Sequence, residues 1–131
     1  MKLNIIALLV SVSFSAVAAD KAFFDCVVPS EAATKITVKA TISQESTVDF
    51  IRLTVVDGQT TQFFSQTEKG QVDSQLQSGS VGLLLVSDSS RQENGTIRNA
   101  GFMGLQKSGN KLSGFMSVQS SIYPLDCTLA Q

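Results

Sequence analysis

The side chains with the plainest claim to chemistry are two cysteines. Cys26 sits in Phe23-Phe24-Asp25-Cys26-Val27-Val28, and Cys127 sits in Tyr123-Pro124-Leu125-Asp126-Cys127-Thr128-Leu129, close to the end of the chain. They are the only cysteines among the 131 residues, and there is no histidine. A redox-active or metal-binding pair would want Cys-x-x-Cys spacing or a histidine to share the ion, and neither is present. In a chain that leaves the reducing cytosol, two such thiols form a structural disulfide. The loop it closes is about a hundred residues long, worth on the order of 4–5 kcal/mol by chain entropy, against roughly 5–15 kcal/mol of net stability for a domain of this size.

The aspartates beside the cysteines come next. Asp25 and Asp126 each precede a cysteine, and paired carboxylates can do general acid–base work. If the cysteines face each other across antiparallel strands, Asp25 falls opposite Thr128. The carboxylates are then diagonal, about 7–8 Å apart at the backbone, and on an outer face that lacks the burial a general acid needs. Asp49 and Arg52 are close in sequence but on opposite faces of a regular strand, so no role is assigned to them. The lack of histidine removes most Ser-His and Cys-His nucleophile systems, and no Gly-rich phosphate loop joins a strand to a helix. Asn94-Gly95-Thr96 fits the glycosylation tripeptide but reads as a turn. No catalytic residue, cofactor or metal is assigned, and a non-enzymatic protein is expected; a carboxylate-dependent hydrolase is the remaining enzymatic alternative.

The compartment follows from the first residues. Met1-Lys2 supplies one positive charge, and an apolar run from Leu3 to Val17 is broken only by Asn4 and three serines. Ala16-Val17-Ala18-Ala19 then precedes Asp20-Lys21. This is the pattern of a secretory signal peptide over residues 1–19, with cleavage after Ala19 and Ala18 as a near alternative. The run is short for a bilayer span, which wants about 20 apolar residues. The expected product is a single β-domain over 20–131, exported to the periplasm or secreted. Without Lys2 the chain keeps nine basic residues against eleven acidic ones. That balance, with no basic block, argues against nucleic acid as a partner.

From Asp20 onward, short stretches rich in Val, Ile, Thr and Phe alternate with Gly/Ser/Asn/Asp clusters, the all-β pattern. Eight strands are expected, at about 22–28, 35–42, 47–56, 60–66, 81–88, 96–106, 111–119 and 122–129. Lys35 to Ile42 alternates polar and apolar residues cleanly. Tyr123, Leu125, Cys127 and Leu129 do the same, and Ala22, Phe24, Cys26 and Val28 make the matching face of the first strand. The stretch 47–56 changes parity, for which a bulge near Arg52 would account. Asp57-Gly58 reads as a tight turn. In the long break 67–80, Val72 and Leu76 are spaced for one helical turn that could plug a barrel end; otherwise a segment this long is mobile or functional, and it is a further candidate binding element.

Between residues 100 and 118, Gly101-Phe102-Met103 and Gly114-Phe115-Met116 flank a hairpin turn at Lys107-Ser108-Gly109-Asn110. Folding about Ser108-Gly109 sets Phe102 opposite Phe115 and each methionine opposite a glycine. Met103, Leu105, Leu112, Met116 and Val118 then share one face, and Phe102 and Phe115 the other. Together these features predict an antiparallel eight-stranded meander closing as a barrel, with a two-sheet β-sandwich as alternative; its first and last strands are joined by the disulfide. Closing the first strand onto the last would remove both sheet edges. A membrane-spanning barrel fits less well, because Lys35, Thr37, Lys39 and Thr41 fill one face and aromatic girdles are missing. Lipocalin-like barrels share the strand count, but their early Gly-x-Trp is absent from a chain with no tryptophan, and a shared fold says nothing about function.

One feature exceeds a bland domain. Phe23, Leu84, Val86, Phe102 and Phe115 fall on the second face of their strands, and such residues gathered outside would form an interaction patch. The expected function is a non-enzymatic binding module for a small apolar ligand or a protein partner. The alternative is an envelope structural or interaction protein, or an enzyme inhibitor. An open interior would favour the small ligand, and a filled interior with an exposed aromatic patch would favour the protein partner.

Overall fold

The computed structural model describes residues 20–131; the leader expected over residues 1–19 lies outside the described residues. Eight antiparallel strands form one nearly closed barrel: β1 (Lys21–Val27), β2 (Thr37–Gln44), β3 (Val48–Asp57), β4 (Gln59–Glu68), β5 (Ser80–Leu85), β6 (Gly101–Ser108), β7 (Lys111–Val118) and β8 (Ser121–Leu129). A short helix, α1 (Gln71–Ser78), lies between β4 and β5. The spatial order is β4-β3-β2-β1-β8-β7-β6-β5. The expected strand count and barrel closure are therefore present, with strand ends shifted by a few residues.

The order places the first and last strands at the middle of the sheet. Two four-stranded meanders, β1–β4 and β5–β8, meet at the β1–β8 ladder, which has only four residue pairs. Every other ladder has at least six. Cys26 lies directly opposite Cys127, and the two are disulfide-bonded. The free edges are β4 and β5, not the chain-terminal strands. They meet at a single bridge, in which Phe64 and Val86 exchange both backbone hydrogen bonds, at 2.7 and 2.9 Å. Beside that bridge α1 occupies the gap, and the Gln75 side-chain carbonyl accepts the Gly82 N–H at 2.9 Å where a β4 carbonyl would otherwise stand.

The interior is filled. Ile51, Leu53, Leu83, Leu85, Met103, Leu105, Leu112 and Met116 are almost wholly excluded from water and pack with Phe24, Val38 and Cys127 in one cluster. One mouth is stoppered by α1, whose Val72 is buried and whose Leu76 packs against the core. The helical reading of Val72 and Leu76 thus holds.

Three local expectations are corrected. β3 carries no bulge at Arg52: its pairing with β2 and β4 runs without a shift, and Asp49, Ile51, Leu53 and Val55 all point inward. The parity change has another cause, a carboxylate on the dry face. Asp49 is fully buried, its Oδ2 accepts the Gly70 N–H at 3.0 Å just ahead of α1, and among the described residues its Oδ1 has no partner. The bulge lies in β1 instead, between Ala22 and Phe24. The extra residue leaves Ala22 exposed and buries Phe23 beside Phe24, with ring centroids 4.7 Å apart. In the β6–β7 hairpin, the two central residues are Gly109 and Asn110, with Ser108 paired to Lys111. Only Gly109 has positive φ, as a type II′ turn requires of its first central residue. The register therefore sets Met103 opposite Met116 and Phe102 opposite Ser117. The slip is of one residue on each strand, so both faces keep the expected residues.

Removing the disulfide should weaken the joint between the meanders. Reduction, or replacement of both cysteines by alanine, is expected to cost about 4 kcal/mol and lower Tm by on the order of 15 °C without a change in oligomeric state; thermal melts with and without reductant, read beside sedimentation, check it. Asp49→Ala removes the acceptor of the Gly70 N–H ahead of α1 and should cost about 1 kcal/mol, read as a lower urea midpoint at unchanged slope.

Candidate functional site

The outer face of the β5–β8 meander carries the candidate patch. Register aligns Leu84, Phe102, Ser117 and Ile122 in one row across the four strands. The next row is Gly82, Gly104, Phe115 and Pro124. No charged side chain stands in either row. Leu84, Phe102, Phe115 and Ile122 are 59%, 47%, 43% and 71% exposed. With roughly 200 Å² on a large apolar side chain, the four present on the order of 400 Å² to solvent, within the range of patches that mark interaction surfaces. The following row, Gln106, Ser113 and Asp126, is polar and forms a rim.

The glycines shape this face. A Cβ on Gly82 would come within 3.3 Å of the Phe102 ring, and one on Gly104 within 3.3 and 3.4 Å of the Phe102 and Phe115 rings. The phenyl groups therefore lie down over bare backbone, 6.4 Å apart between centroids. Flattened rings over glycine make a broad, low surface rather than a ridge.

Of the expected patch, the structure brings together Leu84, Phe102 and Phe115. Phe23 does not belong to it, because the β1 bulge turns it into the core at 6% exposure. Val86 lies at the seam instead, half-buried. Ile122 and Pro124, missed from the sequence, complete the two rows. Their signal was the polar–apolar alternation of β8, which marks Tyr123, Leu125 and Cys127 as inward and so leaves Ile122 outside.

The carboxylates beside the disulfide take the positions expected of them. Asp25 pairs with Thr128 and Asp126 with Val27, both aspartates exposed on the outer face. Asn94 closes a turn, its Oδ1 accepting the Thr96 N–H at 3.1 Å and the Thr96 hydroxyl at 2.7 Å. Arg52, on the outer face of β3, pairs with Asp20 at 2.9 Å and lies 5.9 Å from the centre of the Phe64 ring. Among the described residues no group of three or more acidic or sulfur ligands is placed to hold a metal.

At the mouth opposite α1, Tyr123 of β8 reaches across the barrel and donates its hydroxyl to Asp57 Oδ2 at 2.9 Å, in the β3–β4 turn. This hydrogen bond, partial burial and the negative charge of Asp57 raise the Tyr123 pKa above its usual 10. The segment 86–100, expected to be strand from residue 96, is instead a loop with structure of its own. It folds back through an Arg91–Ile97 bridge and a Gln92 N–H to Thr96 carbonyl bond of 2.9 Å, and β6 begins only at Gly101. It leans over the β4–β5 seam, where a cleft opens beside Phe50 and Phe64. Compared with known protein families, curated proteins and solved structures, the chain matches none.

Tyr123 is the only tyrosine, and there is no tryptophan, so its ionisation can be followed alone by phenolate absorbance. The midpoint should lie above 10, and Asp57→Asn should lower it. Because the folded state holds the phenol proton more tightly, the stabilisation it brings is complete below pH 10 and is lost as pH rises through the folded midpoint.

Proposed function

We propose that this protein is a non-enzymatic docking module of an exported compartment, and that the outer face of its β5–β8 meander receives a protein partner. The observation that carries the reading is the uncharged double row around Phe102 and Phe115, laid flat over glycine and bounded by polar residues. Such a patch is too small to be a whole interface, which commonly buries about 800 Å² per partner, but suits the apolar centre of one. A barrel interior filled to its axis favours a partner on the wall over a small apolar ligand inside. The connection 67–80 is committed to closing the mouth through α1, which argues against its presenting a loop to a target enzyme. A disulfide in the smallest ladder fits the oxidising compartment that the leader implies.

Site-specific photo-crosslinking in the native host tests this. A benzophenone side chain at position 115 or 122 should give a discrete protein adduct, and the same group at Lys39, exposed on β2, should give none. Leu84→Lys in the position-115 background should abolish the adduct while changing stability by no more than about 0.5 kcal/mol, as expected of a surface site. Adducts that are absent, equally strong from Lys39, or indifferent to Leu84→Lys would overturn the proposal.

A further inference from the structure

The cleft at the β4–β5 seam is a second surface, on the other half of the barrel from the apolar face. Its floor is the outer side of β3 and β4, where Phe50 and Phe64 stack at 5.7 Å between centroids with their planes 31° apart. Val86 and Ile97 form the apolar wall, and Asp88 and Arg91 stand at the rim. The cleft, open on one side, has a volume of about 380 Å³, inside the range of about 300–1,000 Å³ usual for small-molecule sites.

Two further observations point to a preformed site. The first is the loop that makes the wall. Its segment 86–100 is long for a hairpin connection, and connections of this length are commonly functional. It is held by its own bonds: Ser90, buried, takes the Ser87 N–H on its hydroxyl at 3.0 Å, and the Ser90 carbonyl accepts the Arg98 N–H at 2.8 Å. The second is the charge at the rim. Arg52, over the same phenyl floor, is already paired with Asp20, whereas Arg91 makes no ion pair among the described residues. Arg91 thus brings a guanidinium without an ion pair among the described residues to the lining it shares with Phe50 and Phe64.

From these features we infer that the seam cleft binds a small aromatic monocarboxylate, with the ring on Phe50 and Phe64 and the carboxylate on Arg91. The apolar floor takes a planar group of one or two fused rings. A guanidinium takes a carboxylate through two parallel hydrogen bonds. Asp88, on the same rim, repels anions in general, so the carboxylate must sit on Arg91 and a second anionic group is disfavoured further. Because the loop and the barrel wall are separately anchored, little ordering opposes binding. The site does not involve Phe102 or Phe115 and stands or falls apart from the docking face.

The test is a titration of the isotopically labelled protein with 2-naphthoate, read by amide chemical shifts. Saturable shifts are expected at residues 50, 64 and 86–97, with half-saturation on the order of 1 mM or tighter. 2-Naphthylmethylamine, the same ring with a cation, should leave those residues unmoved. Arg91→Gln should weaken naphthoate about tenfold, whereas Arg98→Gln, a neighbouring exposed arginine outside the lining, should not. Arg91 joins the loop bridge through its backbone, so the variant keeps the wall. Shifts that fail to saturate, that centre on residues 84, 102 and 115, that appear equally with the amine, or that survive Arg91→Gln at unchanged affinity would overturn the inference.

Discussion

The Cys26–Cys127 bond sits where the barrel has least else to hold it. Two four-stranded meanders are each built by pairing strands that are consecutive in sequence. Their union depends on strands at opposite ends of the sequence, 101 residues apart, meeting in the shortest ladder of the sheet. Bringing such distant segments together costs chain entropy before any contact rewards it. The covalent bond removes most of that cost, and it does so at the centre of the sheet, so each half is held against the other along its inner strand.

With the halves held, side chains fill the interior. α1 fills one mouth, fixed by the Gly70 N–H on the buried Asp49 carboxylate and by Gln75 on the edge of β5. At the other mouth a tyrosine from the last strand grips a turn from the first half. Packed aliphatic side chains and two facing methionines occupy the space between. The distinctive surfaces of this barrel lie on its outer wall: a flat apolar face on one meander, and on the other a cleft under a stiffened loop.

The sequence was most legible where one physical rule acted alone. The lone pair of cysteines in an otherwise cysteine-free chain gave the bond. Period-two alternation gave the strands and the inward faces of β2, β6, β7 and β8. Legibility failed where two rules competed. In β3 the alternation is regular, but Asp49 occupies an inward position because a helix terminus elsewhere in the chain needs an acceptor, and no local pattern announces a partner 21 residues away. In β1 one extra residue changes which of two adjacent phenylalanines is interior, and both prove to be. The β6–β7 register turned on whether Gly109 opened or closed the turn; both choices keep the same faces, so hydrophobic pattern could not decide between them. Residues 96–98 have strand-like composition yet pair within their own loop across the bridge to Arg91, and Asn99 then leaves the extended region at positive φ. The outer patch was half visible: the alternation told which side chains face away from the core, but Phe23 required the bulge and Ile122 required the neighbouring rows.

The single Phe64–Val86 bridge gives the barrel a directional softness. A cylinder clamped by sulfur on one side and latched by one pair of backbone bonds on the other breathes like a bracelet at its clasp. Amide protons of β1 and β8 are expected to stay shielded until the whole molecule comes apart, while those flanking the latch on β4 and β5 should reach solvent through small local openings. The cleft under the 86–100 loop lies across that latch, so a ligand seated there would hold the clasp shut.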